Sequence, residues 1–392
     1  MLTMVHNNRV SLEDGIFKVD RKFHVGMQSY VRGVRAPILS VHPQSAPGAS
    51  IMDPVEVPCA ELGYTVMALK TDRLMRPLPG EREQLRDAIR CSQLVYGGGL
   101  GSAELAWKMG VPYILAREYD LLTQMNVAMA QVTSRLRRAV RSVRCAFRYA
   151  RDIPLVHRAA QLHCNGYPIY DESRWFNASR LLYLDSRMSG AAIIPEAALL
   201  SRLSSRTGRA LRLLYSGRYE PIKGADDAVR VALACLQRGM DIEMHCYGQG
   251  SLRDEMRRLA AEAQQPGRIV VHDAVPFPEL VAIARTFDIF VCCHVQSDPS
   301  TTYLESFGCG LPIVGYGNRM WRRLCAESGA GLSSPMRQPG AVALNVGTLL
   351  ASPDTIRSMS LRARQFAVEH TFEREFALRI DALNAALGAA SH

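Results

Sequence analysis

The second half of the chain alternates short, mainly apolar runs with helix-length stretches, and few folds accept that pattern. The runs are LRLLYS (211–216), IEMHCYG (242–248), RIVVHDAV (268–275), IFVCCHV (289–295) and PIVGYG (312–317). Helical stretches fill 224–239, 251–264, 277–286, 299–308 and 319–328. A strand that lacks a regular apolar/polar alternation has no clear face to give to water. It belongs in a parallel sheet with helices on both sides. The first half repeats the pattern less cleanly at PILSVH (37–42), YTVMALK (64–70), QLVYG (93–97), PYILA (112–116) and LLYLD (181–185). A Ser/Arg-rich join lies near 190–208, and 392 residues are enough for two cores. The expected class is α/β, with two doubly wound Rossmann-like domains facing a central cleft. The expected spans are 1–200, 201–370 and a helical tail, 371–392, able to reach back to the first domain.

Composition narrows the partners. The net charge is +10 and the pI about 9.2, which favours anionic ligands or surfaces. Only five of the 47 basic residues are Lys, and Lys223 is the only one after Lys108. The ten Cys show no spacing for a metal site, and Cys292 and Cys293 sit adjacent in an apolar run, as expected of buried thiols in a reducing compartment. The first twenty residues lack an apolar core of the signal-peptide type, and no run approaches the roughly 20 apolar residues of a membrane span. The expected location is cytoplasmic, at most peripheral on the inner face of a membrane.

In open parallel sheets, ligands sit beyond the carboxyl ends of the strands, so the residues just after each run carry the functional information. After the first comes SGRYEPIKGADD, with Gly217, Arg218, Lys223 and Gly224. Two cations beside a helix start make an anion site, and a diphosphate fits it. After the second come Gly248 and Gly250, donor-side candidates like Gly217. His245 and His272 read as structural. After the fourth comes QSDPSTTYLESFGCG. Asp298-Pro299 has the form of a helix cap followed by Pro at the first turn. Glu305 lies two turns further on, and Gly308 and Gly310 stop the helix. Ser297, Ser300, Thr301 and Thr302 place hydroxyls and first-turn amides where an anion would lie.

Together these pieces resemble the C-terminal domain of the family 4 retaining glycosyltransferases, which have the two-domain GT-B fold. The family pattern is GR…KG after the first strand of that domain, G.G after the second, and E-x7-E…CG.P at the fourth and fifth. This chain has Gly217-Arg218, Lys223-Gly224, Gly248/Gly250, and Glu305 with Cys309-Gly310-Leu311-Pro312. The resemblance covers 211–318 well and extends to a terminal helix crossing back to the first domain. It implies that Arg218 and Lys223 bind the donor diphosphate and that Glu305 binds the nucleotide ribose. The first family acid falls at Ser297, with Asp298 one place later. Either Asp298 substitutes in a loop one residue shorter, or the contact to the donor sugar is altered. No metal or cofactor is implied beyond the nucleotide-diphosphate sugar itself.

The first half resembles the family loosely. YGGGLGSAELAWKMGVPYILAREYD has the order strand, glycine loop, helix, strand. Gly99 either approaches a ligand or forms a tight turn. A family His often follows that second strand; Arg117-Glu118-Tyr119-Asp120 stands there instead. Glu118, Asp120, His163 and Asn165 are the candidates for the acceptor side. The stretch 134–158 holds eight Arg and one acid, Asp152, with Leu136, Val140, Val143 and Phe147 at helical spacing. A basic amphipathic helix of this kind suits an anionic membrane through Arg135–Arg151. No nucleic-acid motif or interleaved aromatic pattern accompanies it.

The expected activity is metal-independent, retaining transfer of a sugar from a nucleotide-diphosphate sugar to a saccharide or lipid-linked acceptor, in exopolysaccharide or glycolipid assembly. The rival readings are a nucleotide-sugar epimerase or phosphorylase of the same fold, and a non-catalytic nucleotide-sugar-binding protein that docks on membranes.

Overall fold

The computed structural model describes residues 1–392 apart from 47–50, 52, 130, 131, 133, 206, 207, 391 and 392. Part of the expected join, residues 206 and 207, therefore lies outside the described residues. The chain divides into two compact units, neither of them one uninterrupted span. The first comprises Met1–Glu118, Phe147–Tyr183 and Glu373–His392; the second comprises Tyr119–Ala146 and Leu184–Phe372.

The strands of the first unit are Leu2–Val5 (β1), Ser11–Glu13 (β2), Ile16–Asp20 (β3), Ile38–Pro43 (β4), Pro54–Pro58 (β5), Thr65–Leu69 (β6), Leu94–Gly97 (β7), Tyr113–Arg117 (β8), Gln161–Asn165 (β9) and Arg180–Tyr183 (β10). Seven form one sheet in the order β10-β9-β8-β7-β1-β4-β6, and every pairing in it is parallel. The interior strand β1, between β7 and β4, was not anticipated from the sequence. It is only four residues, all buried, at the very start of the chain. The antiparallel sheet β2-β3-β5 was also unforeseen. Its outermost strand alternates exposed and half-buried residues, so it offers no apolar run to read.

The terminal helix, Phe372–Ala389, packs on the first unit. Its Asn384 accepts from the Arg35 amide at 2.9 Å and donates to the Gly33 carbonyl at 2.9 Å. Gly26 and Gly33 give it room, since a Cβ there would lie 2.9 Å from Phe376 and 2.8 Å from Ile380. The preceding helix, Pro353–Glu369, belongs to the second unit.

The second unit contains Leu211–Ser216 (β11), Ile242–Tyr247 (β12), Ile269–His272 (β13), Ile289–Cys292 (β14), Ile313–Tyr316 (β15) and Gly331–Ser334 (β16). They form a parallel sheet in the order β13-β12-β11-β14-β15-β16. Strand order reverses between β11 and β14. There the two following loops run to opposite faces of the sheet and leave a crevice. Leu211, Leu213, Tyr215, Ile289 and Val291 join one buried core with the helix Ala225–Gln237. These sheets place the chain in the class of two parallel-sheet Rossmann-like α/β domains.

Candidate functional site

The crevice at the β11/β14 switch point brings together residues 75 apart in sequence. The loop after β11 makes a short turn, Pro221–Lys223, and ends at Gly224. Gly224 has φ +56°, and a Cβ there would lie 2.0 Å from the Cys293 carbonyl at the end of β14. Only glycine lets the turn come so close. The approach sets the Lys223 ammonium 2.6 Å from Asp298 Oδ2, and both side chains are buried.

Burial raises the Asp298 carboxyl. The Lys223 charge, with the His294 ring and a Gln296 hydrogen bond, outweighs this and holds the pKa below its ordinary value. Asp298 is therefore an anion paired with a cation. The expected role of Asp298 as a helix cap is corrected. The helix starts later, at Thr302, with Thr301 at the cap position and no side-chain cap bond. The carboxylate is taken by Lys223, and the spacing of two helical turns between Asp298 and Glu305 does not apply.

Three buried polar atoms on this one loop lack a partner among the described residues: His294 Nδ1, Gln296 Oε1 and Asp298 Oδ1. Unpaired buried polar atoms are costly, and three in five residues mark a place built for something polar. Burial and the Lys223 charge push His294 down to about 3, so its imidazole is neutral. His294 and Gln296 were missed from sequence. The signal available was that polar side chains follow directly on the apolar run IFVCC. Arg218, close enough to depress His294 further, is exposed.

Glu305 is buried in the helix Thr302–Gly308, and its Oε1 accepts from Arg187 Nε at 2.8 Å. The Arg187 guanidinium lies over the Phe277 ring at 4.3 Å. Arg187 was also missed, because it lies 118 residues upstream with no local motif around it. Among the hydroxyls, Ser297 Oγ accepts from the Arg319 amide at 3.1 Å, and Ser300 Oγ donates to Thr302 Oγ1 at 3.1 Å. Thr301 and Thr302 are half-buried at the helix start.

The glycines after β12 allow two loops to meet closely. A Cβ on Gly248 would lie 1.9 Å from the Gly217 carbonyl, and one on Gly250 would lie 2.5 Å from the Tyr219 carbonyl. The loop after β12 thus lies directly against the loop after β11. Gly217 donates to Tyr247 and Tyr219 to Gln249, at 3.0 and 2.8 Å. Gly248 and Gly250 let the loop after β12 brace the Gly217–Lys223 loop. His245 and His272 stack at 5.2 Å and share a hydrogen bond at 3.0 Å, consistent with a structural role.

The expected acceptor-side residues are not one cluster. Asp120 is fully buried in the second unit, where Oδ1 accepts from the Thr123 amide at 2.7 Å and Oδ2 pairs with Arg319. Both oxygens are used, so it is a structural acid. In the first unit, burial and the nearby Arg379 charge push His163 down to about 3. Its Nε2 shares a hydrogen bond with Gln161 and its ring meets Tyr96 edge-on, which places it in the packing of β9. A Cβ on Gly99 would lie 2.5 Å from the His6 carbonyl, so that loop closes on the end of β1. Glu118 is exposed and Asn165 buried. Sequence reasoning also missed His6 at the end of β1, stacked on His42 at 4.7 Å.

Residues 210–352 match the family described as glycosyl transferases group 1. A D-inositol 3-phosphate glycosyltransferase from Pseudarthrobacter chlorophenolicus is 30% identical over 26% of this chain and 25% of its own length. The chain thus aligns with about a quarter of that relative. A sucrose-phosphate synthase from Thermosynechococcus elongatus superposes with a TM-score of 0.66 at 16% identity, covering 99% of both chains. The Anabaena protein HepE, solved with UDP, gives 0.64 at 10% identity over 99% of this chain and 98% of its own. At such identities the likeness shows the fold, which is the GT-B fold.

Proposed function

We propose that the chain is a retaining glycosyltransferase that takes a nucleoside-diphosphate sugar as donor. The observation that carries this is the buried Lys223–Asp298 pair, set at the switch point beside three unpaired polar atoms, with the Arg218 charge acting on His294 of the same loop. The match of 210–352 to the glycosyl transferases supports it, as does a structural neighbour solved with UDP.

In this reading the diphosphate lies against Lys223 and Arg218. Both cations stabilise the charge that grows on the leaving oxygen, as preorganised electrostatic catalysis requires. No divalent ion enters the scheme. The bond from the anomeric carbon to the diphosphate breaks, and the acceptor oxygen bonds to that carbon on the same face. The acceptor proton passes to the departing diphosphate. Glu305 holds the ribose through the oxygen not used by Arg187, and Asp298 faces the donor sugar. The first domain takes the acceptor, a saccharide or lipid-linked saccharide.

Calorimetric titration with UDP, GDP and ADP tests the donor site. One of them binds the wild type, and Glu305→Ala weakens that binding by about tenfold or more. Equal binding by both proteins would remove Glu305 from the site. Absence of binding by all three would remove the nucleotide reading.

A further inference from the structure

The helix Arg135–Arg158 carries a surface that the glycosyl-transfer reading does not use. Its inner side is committed to packing. Val156 is part of the core of the first unit, the Tyr149 hydroxyl donates to Glu172, and the Asn177 amide donates to the Val156 carbonyl at 2.9 Å. Cys145 is buried on the same side.

At about 100° per residue, Leu136, Val140, Val143 and Phe147 fall together on the opposite side, within an arc of about 60°. They are 74, 43, 68 and 74% exposed. Four large apolar side chains aligned on the outside of one helix form a stripe, not scattered exposure. Arg137, Arg141, Arg144, Arg148 and Arg151 occupy the adjoining arc, and all are exposed. No acid occurs from 134 to 151.

We infer that this outer face docks on the surface of an anionic lipid bilayer. The stripe would enter the boundary between headgroups and acyl chains while the arginines meet lipid phosphates. Charge complementarity decides the occupant. A nucleic acid would satisfy the guanidinium groups and leave the apolar stripe in water. A neutral apolar partner would do the reverse. An anionic bilayer satisfies both together. The inference is independent of the donor site, because none of these residues belongs to it.

Vesicle sedimentation of the full chain tests the surface. Wild type co-sediments with phosphatidylglycerol/phosphatidylcholine vesicles and stays in solution with phosphatidylcholine alone. The triple variant Leu136→Ser, Val143→Ser, Phe147→Ser partitions at least about tenfold less. The quadruple variant Arg137→Gln, Arg144→Gln, Arg148→Gln, Arg151→Gln loses the preference for anionic vesicles. Both variants keep the thermal midpoint of wild type, since the altered side chains point outward. The inference is overturned if wild type ignores anionic vesicles, if the triple variant partitions like wild type, or if duplex DNA or RNA displaces the protein from the vesicles.

Discussion

At Lys223 one ammonium serves both the fold and the proposed chemistry. Its pair with Asp298 is buried. Removing one partner leaves an uncompensated buried charge, which costs about 3 kcal/mol or more. Lys223→Ala is therefore expected to lower the urea midpoint as well as activity, with a loss of at least about tenfold in kcat/KM, about 1.4 kcal/mol. The double variant Lys223→Ala, Asp298→Ala should recover much of the midpoint but not the activity. Recovery of both would make the pair structural only. Arg187→Ala should weaken nucleotide binding and reduce discrimination against the 2′-deoxy nucleotide, because Glu305 would lose the group that orients it. Unchanged discrimination in a titration with both nucleotides would contradict that role. At this scale the sequence marked part of the candidate site. Arg218 and Lys223 stood out because each sits beside a glycine in the loop after β11, and Glu305 because it is a lone acid in a short apolar helix that matches the family pattern. Arg187 and His294 were not, since their partners arrive only when distant loops meet.

Among the elements, two loops stand or fall together. The approach of Gly248 to the Gly217 carbonyl and of Gly224 to the Cys293 carbonyl locks the loop after β11 between its neighbours. Gly248→Ala and Gly224→Ala are each expected to cost about 2–3 kcal/mol, because a Cβ in either place forces backbone apart. Urea unfolding reads this, and wild-type midpoints would show that the loops yield freely. The five runs of the second half were recognisable because each is mainly apolar; β11, β14 and β15 are buried almost throughout, while β12 and β13 are partly half-buried. The strands β2, β3 and β5 carry no such signature. The terminal strand β16, GLSS, is too short and polar to mark itself. The helix after β14 is shorter than its sequence suggested, since Pro299 and the Lys223 pairing of Asp298 keep the first residues out of it.

For the whole molecule, burial of neutral histidines sets the response to acid. His42, His163 and His294 lie at about 4, 3 and 3 in the folded chain, against an ordinary value of 6.5. Each takes up a proton more readily when unfolded. Between about pH 6.5 and about pH 4 the unfolded chain binds more protons, so stability falls as the pH falls across that window. Urea midpoints near pH 7 and near pH 5 check this, and a midpoint that holds level or rises on acidification would contradict it. The two-sheet organisation was legible in the alternation of apolar runs and helices. The assignment of the last helix to the first unit was open from its helical, strandless sequence and supported by resemblance, but its packing depends on the bare backbone at Gly26 and Gly33, which no pattern announces. The most direct measurement of the central claim is a crystal structure with the best-binding nucleoside diphosphate. The account predicts diphosphate oxygens within hydrogen-bond distance of Lys223 and Arg218, and a ribose hydroxyl on Glu305. A nucleotide bound elsewhere, with the Lys223–Asp298 crevice empty, would contradict it.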